Sequence, residues 1–138
     1  MINSVSLSPQ TVAAGNNVLF AGDRVRTHVC RCNCGWLEHD AGSGLYTLTK
    51  AGVYKVDVSA NVSLAAAGNV ALAIQANGET VGGTQMLTTV VTADDYQTVG
   101  NFALIEVACG SSKTVSVSNI GTTDALVQTA NIAIQRLC

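Results

Sequence analysis

Charge is what this chain has least of. Its 138 residues include seven Lys or Arg and nine Asp or Glu, 12% of the total, against about 25% in an ordinary soluble domain. A 14.1 kDa monomer exposes roughly 6,700 Å². Each of the sixteen charges (seven plus nine) then has roughly 400 Å² to itself, about twice the usual spacing. Either the surface is bland, or other subunits cover much of it. Cations are scarcer still: seven in a chain of net charge −2 and pI 5.5 give little of the counterion release that a basic nucleic-acid surface depends on. A nucleic-acid partner is therefore not expected. Proline occurs once and the thirteen glycines follow no three-residue period, which excludes collagen. An apolar content of 48% with so small a net charge excludes disorder.

Other signals are missing as well. Met1-Ile2-Asn3-Ser4 has neither the basic start nor the apolar core of a secretory leader, so synthesis in a host cytoplasm is expected. Stretch 58–78 is free of charge and about long enough to span a bilayer. Ser59, Asn61, Ser63, Gly68, Asn69, Gln75 and Asn77 interrupt it, however, and no membrane partner is expected. No window of a dozen residues shows a 3.6-residue period.

A two-residue period is present instead. In 53–64, Tyr54, Val56, Val58, Ala60, Val62 and Leu64 fall on one face, with Lys55, Asp57, Ser59, Asn61 and Ser63 on the other. This alternation predicts a strand with one buried and one wet face. Residues 69–76 repeat the pattern and run into Asn77-Gly78, a pair that tolerates the positive φ of a type I′ hairpin turn. The return strand is expected over 79–86, bent at Gly82-Gly83. Further strands are expected over 88–92, 96–108, 113–120 and 125–137. Ala93-Asp94-Asp95, 109–112 and 121–124 read as turns. Before Gly52, short strands are expected over 4–7, 17–20, 25–32 and 45–49, with loops at 15–16, 21–23 and 40–44. Eight to ten strands at this spacing predict an all-β antiparallel two-sheet sandwich or barrel. There is no repeat and no linker, so we expect a single domain over 1–138, with 1–16 as an N-terminal arm or short first strand.

The order of these elements resembles a known family. Its most specific piece is Gly44-x-Tyr46-x-Leu48…Ala51-Gly52-x-Tyr54, where the glycine turns the chain and the tyrosine enters the sandwich. A strand ending Val107-Ala108-Cys109-Gly110 then precedes Val115-Ser116-Val117, with Ala130-Asn131-Ile132-Ala133-Ile134 near the C-terminus. Over roughly 17–137 the chain resembles the jelly-roll superfamily of tumour necrosis factor and the complement globular heads. Its three tyrosines, two phenylalanines and one tryptophan favour the bacterial and phage branch over the vertebrate one. The resemblance implies a two-sheet jelly roll trimeric about a threefold axis, with no catalysis and with binding by loops or the outer surface. Subunit contacts of that kind would account for the charge-poor surface.

The sharpest local feature is His28-Val29-Cys30-Arg31-Cys32-Asn33-Cys34, with His39 nearby. On an extended segment His28, Cys30, Cys32 and Cys34 share one face and are a zinc ligand set by type. Same-face side chains start about 6.6–7 Å apart, whereas thiolates on one zinc converge to roughly 4 Å. Small buried thiols are therefore the simpler reading. Disulfides from Cys109 or Cys138 to one of the three are the second reading, and metal binding the third. Within the implied trimer, one Cys from each chain could meet on the axis. With five cysteines at least one is unpaired within the chain, which suits a reducing compartment. Asp94-Asp95 lacks the third carboxylate of a calcium loop, and Asp23-Arg24-Val25-Arg26 reads as an exposed edge strand. Asn61-Val62-Ser63 matches a glycosylation acceptor, discounted without a leader. Two histidines are too few for a metalloenzyme on a β scaffold, and neither sits in a nucleophile elbow. No catalytic residue and no cofactor is expected.

The function expected is that of a non-enzymatic phage or prophage virion protein: a capsid decoration, fibre or tail-tip host-binding module. The alternative is a bacterial cell- or spore-surface adhesion module of the same fold. Expected partners are its own copies in a homotrimer, other virion proteins, and a host-surface receptor or glycan. Stretches 58–78 and 80–93 should lie in the core and at threefold contacts, with the charges of 23–57 marking the outer surface.

Overall fold

The computed structural model describes residues 1–26 and 35–138. Twelve strand segments occur among them: β1 (Ile2–Ser6), β2 (Gln10–Val12), β3 (Gly22–Arg26), β4 (Leu37–Glu38), β5 (Tyr46–Leu48), β6 (Gly52–Ser63), β7 (Gly68–Ala76), β8 (Glu79–Thr80), β9 (Met86–Val90), β10 (Gln97–Val107), β11 (Lys113–Asn119) and β12 (Ala125–Arg136). Eight of these have five or more residues, and no helix occurs among the described residues. One sheet runs β10-β6-β12-β1-β3 with β2 beside β12. The other runs β4-β5-β11-β7-β8 with β9 on β7. Pairing is antiparallel throughout, and the fold is an all-β two-sheet jelly roll.

The alternation in β6 places Tyr54, Val56, Val58, Ala60 and Val62 in the core. Val70, Leu72 and Ile74 of β7 meet them from the second sheet. Asn77 and Gly78 have φ of 52° and 80°, as a type I′ turn requires. The Asn77 side-chain oxygen accepts the Thr114 N–H at 2.9 Å.

Several local expectations give way to competing partners. The return strand after the hairpin is only β8, because Gly83 (φ 79°) turns the chain and Thr84 Oγ1 bonds the carbonyls of Ile74 and Val81. Pairing with β7 resumes at β9. Residues 17–20 form no strand beyond an Asn17–Ser118 bridge. Val18 N–H goes to Val117 O and Phe20 N–H to Ser43 O, while the Gln10 carboxamide takes both Leu19 backbone groups. Three different partners leave no ladder to build. The expected loop 21–23 is strand from Gly22, held by β1. Stretch 80–93 is mostly exposed, with only Thr84, Met86 and Val90 buried. Gly44 has no positive φ. It is required by close approach, since a Cβ there would stand 2.7 Å from Val18 O.

Candidate functional site

A polar cluster around the part-buried Asp23 carboxylate and the buried His39 closes the sandwich at its β3–β4 side. Ser4 faces the core from β1 and is fully buried. Its Oγ donates to Asp23 Oδ1 at 2.6 Å. His39, which follows β4, places Nδ1 2.9 Å from the same carboxylate oxygen and Nε2 3.0 Å from Ser43 O. The imidazole stacks on Tyr46 with centroids 4.0 Å apart and planes 9° apart, and Phe20 meets Tyr46 edge-on at 5.9 Å. Arg26 approaches the other Asp23 oxygen at 3.5 Å. The Tyr46 hydroxyl is buried without a hydrogen-bond partner among the described residues, and burial pushes its ionisation well above the usual tyrosine range.

Chemically the cluster is a clamp. A nucleophile–base pair needs the hydroxyl on the imidazole with the carboxylate behind it. Here the carboxylate stands between the two, and both ring nitrogens are spent on Asp23 and Ser43. His39, with a side chain 1% exposed, offers no surface to a substrate.

The sequence-predicted ligands His28, Cys30, Cys32 and Cys34 lie outside the described residues. Cys109 and Cys138 are free and exposed. No group of three or more His, Cys, Asp or Glu that could hold a metal occurs among the described residues. Asp94 and Asp95 are exposed in a turn, with Asp94 N–H donating to Leu64 O. Asn61 is tied to Thr129 and Thr98 at the middle of a sheet, and Ser63 is buried on Asp95 O, so the glycosylation triplet is occupied by the fold.

The outward face of the first sheet carries the remaining candidate surface. Its rungs read Thr98–Asn61–Thr129, Gly100–Ser59–Asn131, Phe102–Asp57–Ala133 and Leu104–Lys55–Gln135. The first two are hydroxyls, amides and glycine. The last two carry Phe102 and Leu104, 54% and 57% exposed, with Lys55 Nζ 5.4 Å over the Phe102 ring and 3.3 Å from Asp57. Sequence reasoning missed both the clamp and this patch. The readable sign of the patch was that β10 is apolar in both phases, Val99, Ala103, Ile105 and Val107 against Phe102 and Leu104.

No family model and no curated protein matches the chain. Solved structures do. The globular domain of a zebrafish complement 1qA protein superposes with TM-score 0.68 at 11% identity, over 99% of this chain and 96% of that one. Eiger TNF from S. frugiperda gives 0.67 at 12%, over 99% and 92%. PRD1 vertex protein P5 gives 0.50 at 16%, over 99% and 96%. The chain has the TNF-like jelly-roll fold. This bears out the fold that the resemblance carried by 44–54 implies. Tyr46 and Tyr54 of that stretch are both fully buried in this jelly roll.

Proposed function

We propose that this TNF-like jelly roll, one domain over 1–138, is a non-enzymatic homotrimeric module of a phage or prophage virion. It serves as capsid decoration, fibre or tail tip and meets other virion proteins or a host-surface receptor. The observation that carries the reading is the pair Phe102 and Leu104, each more than half exposed on an otherwise small and polar sheet face. Adjacent apolar side chains on a monomer's sheet are what a subunit contact covers. The likeness to a phage vertex protein along nearly the whole chain supports the virion setting. An open polar groove on the same sheet favours a second reading, the bacterial cell- or spore-surface adhesion module.

Light scattering tests the assembly: three times 14.1 kDa is expected, and Phe102→Asp with Leu104→Asp should reduce it to one. A monomeric parent chain sinks the trimer. Mass spectrometry of purified, induced virions tests the setting, and absence of the chain there leaves the adhesion reading.

A further inference from the structure

Across the hydroxyl-and-amide end of the first sheet runs an open groove of about 280 Å³, lined by Arg24, Ser59, Asn61, Thr98, Thr129 and Asn131, with no carboxylate in its walls. Its hydrogen-bonding groups are unevenly spent. Asn3 Nδ2 is pinned as a donor by Ile132 O at 3.0 Å, so the atom of Asn131 that it meets at 2.6 Å must be the acceptor oxygen. The Asn131 NH₂ is thereby left without a partner among the described residues. Thr129 Oγ1 accepts from Asn61 Nδ2 at 2.8 Å and retains its own O–H to donate. Among the described residues Ser59 makes no side-chain hydrogen bond and Arg24 pairs with no acid. An amide, two hydroxyls and a guanidinium thus face one concavity with donors in excess. At one end stands Leu7, 76% exposed.

We infer that this groove binds a carboxylate carried on a polyhydroxyl ring, that is, a uronic or sialic acid unit of a glycan. The planar guanidinium of Arg24 takes the carboxylate through two parallel N–H···O bonds. Ser59, Thr129 and Asn131 donate to ring hydroxyls and amides, and Leu7 covers a C–H face of the sugar. A neutral sugar leaves Arg24 unanswered, and an inorganic anion leaves the sheet donors unanswered. The inference stands independently of the threefold assembly.

Calorimetric titration of the full chain with glucuronate, N-acetylneuraminate, glucose and inorganic phosphate tests it, with light scattering recorded on every sample. Saturable binding of one or both acidic sugars is expected below about 20 mM, at least about tenfold tighter than glucose or phosphate. Arg24→Ala should weaken that binding at least about tenfold. Asn131→Asp, which sets a carboxylate in the groove, should abolish it, and both variants should keep the parent's mass. Binding of phosphate or glucose as tight as that of the acidic sugars, no binding at all, or an Arg24→Ala variant that binds like the parent overturns the inference. Because mass is read separately, such a failure leaves the assembly standing, and loss of the trimer alone leaves the groove standing.

Discussion

Removing the Asp23 carboxylate should be among the most damaging single changes at the sheet edges. Ser4 is fully buried and the His39 side chain is 1% exposed, and both direct a polar atom at Asp23 Oδ1, at 2.6 and 2.9 Å. In Asp23→Ala the two groups face a void. A buried donor left unmade costs about 1–3 kcal/mol. The Ser4 hydroxyl can rotate toward another acceptor, whereas the imidazole, stacked on Tyr46 and held by Ser43 O, cannot. A loss of about 1–3 kcal/mol follows, a large share of the roughly 5–15 kcal/mol of a typical domain. Urea unfolding at pH 7 and fixed protein concentration measures it, and the midpoint should fall with an unchanged slope. A double-mutant cycle isolates the pair: Asp23→Ala and His39→Ala should couple by at least about 1 kcal/mol. A loss under about 1 kcal/mol in Asp23→Ala, or energies that add within about 0.5 kcal/mol, would refute the clamp.

Alkaline stability should report Tyr46. Burial raises its phenol above the unfolded value, so the unfolded chain loses its proton first. The stabilisation is complete below pH about 10 and declines above it, by about 1.4 kcal/mol per pH unit for one tyrosine. Tyr54 is shifted in the same direction by burial. Tyr46→Phe should flatten the decline and, by deleting a buried hydroxyl that has no partner among the described residues, hold or raise stability at pH 7; a urea midpoint that is level from pH 9 to 12 in the parent would contradict this. Gly52 has φ 149°, and a Cβ on it would collide with the Cys138 carbonyl and crowd Arg136 Nε at 2.9 Å. Gly52→Ala should therefore lose more than about 2 kcal/mol, against about 1 for Gly78→Ala, which meets nothing within 4 Å; thermal melts that rank the two the other way argue against the tight β6–β12 end. Cys109 and Cys138 are exposed and free, so a thiol reagent should titrate at least two equivalents in the folded, reduced protein, and fewer would show that these thiols are covered.

Where the fold was legible, one local rule decided the outcome. In β6 the period of two and the burial on one face are the same fact, and Asn77-Gly78 carries its own turn. Where legibility failed, a distant partner had taken the backbone. Residues 17–20 have strand composition, yet their N–H and C=O groups are divided among Val117, Ser43 and the side chain of Gln10. Nothing within four residues announces that division. The 79–86 return strand failed differently: its glycines were read as a bend, but a turn at Gly83 secured by Thr84 interrupted the pairing, which resumes only at β9.

The candidate sites were hidden by long-range pairing of an opposite kind. Asp23 and His39 are sixteen residues apart, and Ser4 is a further nineteen from Asp23. Each looked ordinary alone: a serine on an apolar strand, an acid on an edge, a histidine in a loop. Sheet register makes them a cluster, because β1 lies beside β3 while β4 and β5 bring His39 and Tyr46 across from the other sheet. The groove arises the same way, from Thr98, Asn61 and Thr129 on one rung and Ser59 and Asn131 on the next. Scarcity of charge explains why these places matter. With so few ions, one part-buried carboxylate that Ser4, His39 and Arg26 all approach joins the sheet edges, and Arg24, which pairs with no acid among the described residues, stands over neutral donors on the sheet face.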